Sequence, residues 1–142
     1  MRVAGTPEVI VNGSTDGLAR AARAAASHVL EGEDHRARVA ITFVAKARMR
    51  RLNARYLGHD YPTDVISFPL PQPDGSLAGD IYLCRYVAAR SARRHGVPVR
   101  DELLRLVVHG TLHLLGWDHP GPATVMQSPM WRRQERYLAG VR

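Results

Sequence analysis

Three histidines lie close together near the end of the chain, in the segment HGTLHLLGWDH that spans residues 109–119. On a helix, His109 and His113 would project from the same face one turn apart, where two imidazoles can bind one ion. Gly116 is expected to end that helix, and the turn that follows can return His119 to the same ion. Three nitrogen ligands leave a fourth position for water, which is typical of catalytic zinc sites. The predicted metal ligands are therefore His109, His113 and His119, and Asp118 is expected to orient one of their imidazoles by a hydrogen bond.

A single histidine is more often a surface residue or a hydrogen-bonded core residue than a metal ligand, and that interpretation is kept for His28, His35, His59 and His95. The triple spacing is different, because it places three imidazoles within reach of one ion. It predicts one Zn²⁺ per chain, or another divalent metal in its place.

The same histidine spacing occurs in metzincin proteases, whose HExxHxxGxxH motif carries a glutamate as general base. In this chain the position of that glutamate is Gly110. Nothing in the intervening TLHLL can take a proton from a water activated by the metal, so proteolysis is a minor alternative.

Patterns along the chain predict the elements that must hold the histidines. Short alternating or β-branched runs predict strands at residues 8–13, 38–45, 64–70 and 79–84, of which the last two form a hairpin across PQPDGS. Helical patterns predict five helices: one capped by Ser14 or Thr15 and ending at Leu30, then 46–58, 85–95 and 101–115, and a last one opened by Ser128 and Pro129. Interleaved strands and helices indicate an α+β domain, with a mixed sheet flanked by helices, over residues 1–142.

Composition limits the setting and the partners. A chain of 142 residues with 45% hydrophobic residues fits one compact domain. Its 20 Lys and Arg against 13 Asp and Glu give a net charge of +7, which favours a polyanionic partner, either nucleic acid or an anionic membrane surface. The single cysteine, Cys84, excludes an internal disulfide. Without a signal-like or membrane-spanning apolar run, the protein is expected to be cytoplasmic.

A cationic run follows the second predicted strand, with five Lys or Arg in eleven residues and no acid among them. A solvated helix face is the usual interpretation of such a run, but no acidic residue lies one turn away to pair with it, so phosphate contact is equally favoured. The candidate nucleic-acid-binding residues are Lys46, Arg48, Arg51 and Arg55, with Arg50 beside them. A second group, formed by Arg85, Arg90, Arg93, Arg94 and Arg100, is expected to extend this surface.

Four segments together resemble the YbeY family of metal-dependent endoribonucleases, which act in ribosomal RNA maturation and ribosome quality control. They are LNARYLGHDYPTDVISFP (52–69), LAGDIYLC (77–84), ELLRLVVHG (102–110) and HGTLHLLGWDH (109–119). The resemblance covers roughly residues 38–120 and weakens after them.

The resemblance implies a small, mostly parallel sheet, with a zinc ion on the three histidines of a C-terminal helix and the following turn. It also implies hydrolysis of phosphodiester bonds in single-stranded RNA by a metal-activated water. The implied partners are rRNA precursors and the small ribosomal subunit, without a membrane. The general base, the RNA cleavage site and the oligomeric state stay open.

One position departs from the family pattern. Many members have an arginine after the tyrosine of the LNxxY segment, whereas here Leu57 follows Tyr56. By helical periodicity Arg50 is the nearest substitute, and Arg55 or His59 could reach from neighbouring turns. The lost cation keeps a second hypothesis open, in which the protein is a non-catalytic, ribosome-associated RNA-binding factor with a structural metal.

Overall fold

The structure is a computed structural model that describes residues 7–14, 17–118 and 128–141. The strands of this part of the chain are β1 (Glu8–Asn12), β2 (Ala37–Phe43), β3 (Val65–Pro71) and β4 (Leu77–Leu83). Its helices are α1 (Leu18–Gly32), α2 (Lys46–Leu57), α3 (Arg85–His95), α4 (Val99–Leu114) and α5 (Pro129–Ala139). Every predicted element is present to within a few residues, which confirms the α+β class.

The described strands form one sheet in the order β1-β2-β4-β3. The pairs β1–β2 and β2–β4 are parallel, and only the β3–β4 hairpin is antiparallel, so the mixed, mostly parallel sheet is confirmed. Ile41 and Ile81 are register partners at the centre and both are fully buried. In the hairpin turn, the Asp74 carboxylate accepts the Ser76 N–H at 2.9 Å, and Gly75 takes a φ of 83°.

Helices cover both faces of the sheet. Successive side chains of β4 point to opposite sides, and they pack into different core clusters. Ile81 belongs to the larger core cluster, which joins the sheet to α1, α4 and α5. Its neighbour Tyr82 packs with the smaller cluster, in which Met49 of α2 lies against Ile66 and Cys84. Helix α4 is therefore on one side of the sheet and the basic helix α2 on the other.

Two glycines let α4 approach the sheet closely. A Cβ on Gly110 would lie 2.9 Å from Ser67 Oγ and 3.2 Å from Ile81 Cγ2. The Ser67 hydroxyl donates a hydrogen bond to the Gly110 carbonyl at 3.3 Å. On β4, a Cβ on Gly79 would lie 2.6 Å from a methyl group of Leu114. Gly110 therefore faces the sheet, where a glutamate side chain does not fit.

The ends of the last two helices follow the local sequence signals. After α4 the chain makes a Schellman turn at Gly116, with φ 95° and N–H···O bonds of 3.0 Å from Gly116 to His113 and from Trp117 to Leu112. At the start of α5, Ser128 Oγ accepts the Trp131 N–H at 3.1 Å. Both predicted helix ends are confirmed.

Two predicted helix starts are wrong. Helix α1 is capped by Gly17 in the left-handed region, not by Ser14, and Thr15 lies outside the described residues. Glycine adopts this conformation without a Cβ penalty. Helix α4 begins at Val99 rather than near Asp101, because the extended backbone of Pro98 leads directly into it. Asp101 consequently lies in the first turn, where a carboxylate suits the helix dipole.

No helix of the described residues is long and apolar enough to cross a membrane.

Replacing Gly110 by glutamate is expected to lower the free energy of unfolding by about 3 kcal/mol or more, because an uncompensated charge would be forced between α4 and the sheet. Denaturant unfolding monitored by circular dichroism measures the change. Arg100→Glu, at an exposed position of the same helix, is the control and should change stability by no more than about 0.5 kcal/mol. A folded Gly110→Glu protein of wild-type stability would contradict the close packing.

Candidate functional site

Two of the three predicted metal ligands lie side by side on α4. The rings of His109 and His113 have centroids 4.4 Å apart and an interplanar angle of 79°. Both line a cleft of about 350 Å³ between α4, the end of α2 and β3. The other residues that line this cleft are Leu57, Val65, Ile66, Ser67 and Pro69.

The third predicted ligand, His119, lies outside the described residues. Within residues 7–14, 17–118 and 128–141, no three His, Cys, Asp or Glu side chains are grouped so that they could hold an ion. Asp118 is exposed at the end of the described segment that leads to His119. The metal site and the supporting role of Asp118 therefore stay predictions.

A buried glutamine of α5 holds the first histidine. Gln134 is 2% exposed, and its Oε1 lies 2.7 Å from Nδ1 of His109. Its Nε2 donates to Oε2 of Glu135 at 3.0 Å. Because a carboxylate only accepts, the amide nitrogen must face Glu135 and the amide oxygen must face the imidazole. His109 therefore donates from Nδ1, which leaves Nε2 with the lone pair that a metal ligand needs.

The glutamine is in turn fixed by a chain of charged groups. Arg105 makes a bidentate pair with Glu135, with nitrogen–oxygen distances of 3.0 and 3.1 Å, and a third bond of 3.3 Å to Glu102. The hydrogen bond to Glu135 raises the pKa of Arg105 above its usual value. Burial raises the pKa of Glu102, against the opposing effect of Arg105. The chain connects α4 to α5 and prevents the Gln134 amide from turning over.

Sequence reasoning did not find Gln134. The amide acts through a contact between two helices, which no local spacing announces. One signal was available in the pattern of α5, where the buried positions are Met130, Gln134 and Leu138. A single amide on an otherwise apolar helix stripe predicts a buried polar partner.

A second carboxylate fixes the turn that follows α4. Glu33, just after α1, accepts hydrogen bonds from Trp117 Nε1 at 2.9 Å, Arg133 Nη1 at 2.7 Å and Tyr137 Oη at 2.5 Å. Burial alone would raise the pKa of Glu33, but these three donors together lower it below its usual range. Burial and the bond to Glu33 also raise the pKa of Tyr137 to about 12. The turn carrying Trp117 is thereby held against α5 and the end of α1.

The predicted RNA-binding residues lie on the exposed face of α2. Lys46 has its Nζ 4.4 Å from the centre of the Tyr86 ring of α3. A groove of about 670 Å³ runs between α2 and α3, and its cationic residues are Lys46, Arg50, Arg51 and Arg90. Arg48 and Arg55 are also exposed, with guanidinium groups 6.0 and 5.4 Å from the rings of Tyr82 and Tyr56. The groove thus brings the cations of α2 together with Arg90, a member of the second predicted basic group.

Arg50 was expected to substitute for the cation that is missing at position 57, but it lies elsewhere. Its guanidinium pairs with Asp60 at 2.9 and 3.1 Å, and it lines the α2–α3 groove instead of the cleft. Leu57 itself lines the cleft beside both histidines and is 50% exposed. Asp60 also supplies the acidic partner that the helix sequence lacked, because it comes from the loop after α2.

The family model described as "Endoribonuclease YbeY" matches residues 10–142 of the chain. The chain belongs to the YbeY family. Curated relatives agree with this assignment, and a solved structure shares the fold.

Three curated relatives carry the name Endoribonuclease YbeY. The protein of Alkalilimnicola ehrlichii is 44% identical over 110 residues, which cover 74% of this chain and 65% of its own. That of an Anaeromyxobacter species is 47% identical over 89 residues, covering 61% and 46%. That of Halorhodospira halophila is 36% identical over 119 residues, covering 80% and 76%. The match thus spans less than two thirds of the first two relatives.

The fold of this chain is also seen in the solution structure of a Thermotoga maritima protein. It is 30% identical to this chain and superposes with a TM-score of 0.68. The superposition covers 94% of this chain and 88% of the other. The shared fold therefore extends well beyond residues 38–120, the part in which the sequence motifs are recognisable.

Removing the Gln134 acceptor should let the neutral imidazole of His109 adopt either tautomer. In metal-free protein at alkaline pH, where imidazoles are neutral, ¹⁵N NMR of wild type should show His109 protonated at Nδ1. In Gln134→Leu this preference should be lost. Gln72→Leu is the matched control, because the Gln72 amide bonds only to the Leu70 carbonyl in the hairpin among the described residues. A wild-type His109 protonated at Nε2 would contradict the assignment.

The lowered pKa of Glu33 makes its contribution to stability depend on pH. A carboxyl whose folded-state pKa lies below its unfolded value of 4.5 stabilises the fold above that pH, and the effect disappears as the pH falls through the folded-state pKa. Glu33→Gln should therefore cost about 2 kcal/mol at pH 7 and progressively less below about pH 4.5. Denaturant titrations at several pH values test this, with the exposed Glu31→Gln as control. A cost independent of pH would show that the carboxylate charge is not used.

Proposed function

We propose that this protein is an endoribonuclease that hydrolyses phosphodiester bonds of single-stranded RNA at the cleft of His109 and His113. The observation that carries the proposal is this pair of adjacent imidazoles, one of them fixed by Gln134, at the wall of an open cleft. The proposal is supported by the name Endoribonuclease YbeY, which the curated relatives carry. The proposed substrates are rRNA precursors, in the maturation and quality control of the small ribosomal subunit in the cytoplasm.

The proposed metal is one Zn²⁺ per chain, held by His109, His113 and His119. The donor set fits such an ion, since two imidazoles lie one helical turn apart and the hydrogen bond to Gln134 directs the Nε2 lone pair of His109 away from α5. When bound, the ion supplies Lewis-acid chemistry, polarising a phosphoryl oxygen and lowering the pKa of water. The protein's own contribution is to fix the imidazole of His109 before substrate arrives.

The proposed path of the RNA includes the α2–α3 groove. Lys46, Arg51 and Arg90 line it and are exposed, so they can contact phosphates without reading the base sequence. The exposed rings of Tyr61 and Tyr86 lie in the same groove and offer stacking surfaces to unpaired bases. Helix α2 lines the groove with its first turns and reaches the histidine cleft through Leu57, its last residue.

The proposed function predicts cleavage of single-stranded RNA by zinc-loaded protein and its loss after chelation. His113→Ala should reduce cleavage to the level of the chelated protein and should also lower the zinc content. His35→Ala, at an exposed position between α1 and β2, is the matched control and should keep both. Cleavage that survives chelation would refute the role of the metal. RNA binding without any cleavage would favour the non-catalytic RNA-binding alternative.

The non-catalytic alternative is favoured by one observation, the apolar side chain of Leu57 in the cleft. Under the nuclease proposal, Leu57→Arg should raise the rate of RNA cleavage, because a cation beside the histidines can stabilise the extra negative charge of the transition state. Since Leu57 is half exposed, the longer side chain can keep its charged end in water and the fold should keep its thermal midpoint.

Ile10→Arg is the matched control for this substitution. It adds the same charge at an exposed apolar position of β1, at the edge of the sheet opposite β3. If only Leu57→Arg accelerates cleavage, the effect is local. If Leu57→Arg abolishes cleavage at unchanged metal content and stability, the leucine itself contacts the substrate.

A further inference from the structure

A second cavity of about 500 Å³ lies between α4, α5, the end of α3 and the start of β3. Its apolar walls are Val65, Val97, Leu106 and the indole of Trp131. His109 lines both this cavity and the histidine cleft, and so does Val65. A group bound here would therefore adjoin whatever is bound at the histidines. The size and the mostly apolar lining are those of small-ligand sites.

The polar side chains that line this cavity include two carboxylates, Asp64 and Glu102, besides His95, Arg105, His109 and Gln134. Burial, helped by the nearby charge of Asp64, raises the pKa of Glu102. A carboxylate offers about four acceptor positions. Within the described part of the chain, Asp64 accepts one long bond from Thr63 at 3.4 Å and Glu102 accepts one bond from Arg105 at 3.3 Å. The Arg105 guanidinium is already directed at Glu102 and Glu135.

We propose that this cavity binds one nucleobase of the RNA strand, next to the phosphodiester held at His109 and His113, and that it prefers guanine. The proposal rests on the proposed function, since it assumes RNA at the histidine cleft. An unpaired base in a protein pocket is held by stacking on an aromatic ring and by hydrogen bonds to its Watson–Crick edge. Trp131 supplies the ring, and Asp64 or Glu102 supplies the acceptors.

Guanine fits these acceptors better than the other bases. Its Watson–Crick edge carries two adjacent donors, N1–H and the N2 amino group, which can both bond to one carboxylate. Uracil has one N–H between two carbonyl oxygens, which a carboxylate repels. Adenine and cytosine each place a ring acceptor beside their amino group, so they can offer only one bond from that edge.

Binding of nucleoside monophosphates to metal-free protein tests the proposal without using catalysis. The Trp131 indole N–H signal in a ¹H–¹⁵N spectrum is followed during titration, after assignment with Trp117→Phe, the substitution of the only other tryptophan. GMP should shift this signal with a Kd at least about fivefold lower than that of UMP, the lower limit of what one bidentate base contact contributes. Because both ligands carry the same ribose phosphate, the ratio reports on the base.

Glu102→Gln is the decisive variant. It keeps the shape of the side chain and an oxygen for Arg105, but it replaces one acceptor by a donor. The GMP-to-UMP ratio should fall towards one, while the Trp131 signal still shifts. Glu31→Gln, an exposed position on α1, removes the same charge far from the cavity and should leave the ratio unchanged. If Asp64 rather than Glu102 reads the base, Asp64→Asn produces the loss instead.

The proposal is overturned if GMP leaves the Trp131 signal in place, if GMP and UMP bind equally to wild type, or if neither Glu102→Gln nor Asp64→Asn changes the ratio. The result separates the two proposals. RNA cleavage without a guanine preference at the neighbouring nucleotide, together with an unmoved Trp131 signal, refutes the base pocket and leaves the endoribonuclease proposal intact. A guanine-selective shift in a protein that cleaves no RNA refutes the nuclease proposal and supports the pocket.

Discussion

The side-chain amide of Gln134 can take only one orientation, because the carboxylate of Glu135 on one side of it accepts hydrogen bonds and cannot donate them. That orientation fixes the tautomer of His109 at a distance of 2.7 Å. Arg105 holds Glu135 by two hydrogen bonds, so this carboxylate cannot move away to make room for a turned amide without breaking a bidentate ion pair. The packing of α5 on α4 is therefore coupled to the chemical state of the histidine. A buried amide that is hydrogen-bonded at both ends avoids the cost of an unpaired polar group in the core.

Close packing of α4 on the sheet determines where its histidines can lie. A Cβ on Gly110, one residue after His109, would collide with Ser67 and Ile81, so the helix face turned to the sheet has no room for a side chain at this position. Of the two histidines, both half-buried, His109 lies at the boundary between two cavities. The same glycine that excludes a protease-type glutamate thus determines which face of α4 lies against the sheet. An approach this close leaves little freedom for the helix to rotate, which favours a site formed before any ligand binds.

Features controlled by neighbours along the chain could be predicted from the sequence, whereas contacts between distant elements could not. The turn at Gly116, the cap at Ser128 and the β3–β4 hairpin follow from local backbone chemistry, and all three were predicted correctly. The bond from Gln134 to His109 joins residues 25 positions apart on different helices. The pair between Arg50 and Asp60 spans a helix end and a loop whose course the sequence does not reveal. The prediction of the α1 cap was wrong for another reason: several neighbouring polar residues and a glycine were all candidates for the one capping position.

The proposed RNA-binding groove and the proposed site of bond cleavage differ in their charge. None of the described residues that line the histidine cleft is Lys, Arg, Asp or Glu, whereas the α2–α3 groove contains four cations. In the proposed function, the contacts of those cations with the RNA backbone do not change as the bond is cleaved, so they increase affinity without lowering the barrier to reaction. Stabilisation that exists only in the transition state has to come from groups at the cleft itself. With Leu57 in the position nearest the histidines on α2, that stabilisation depends on the imidazoles and on the ion that they are proposed to hold.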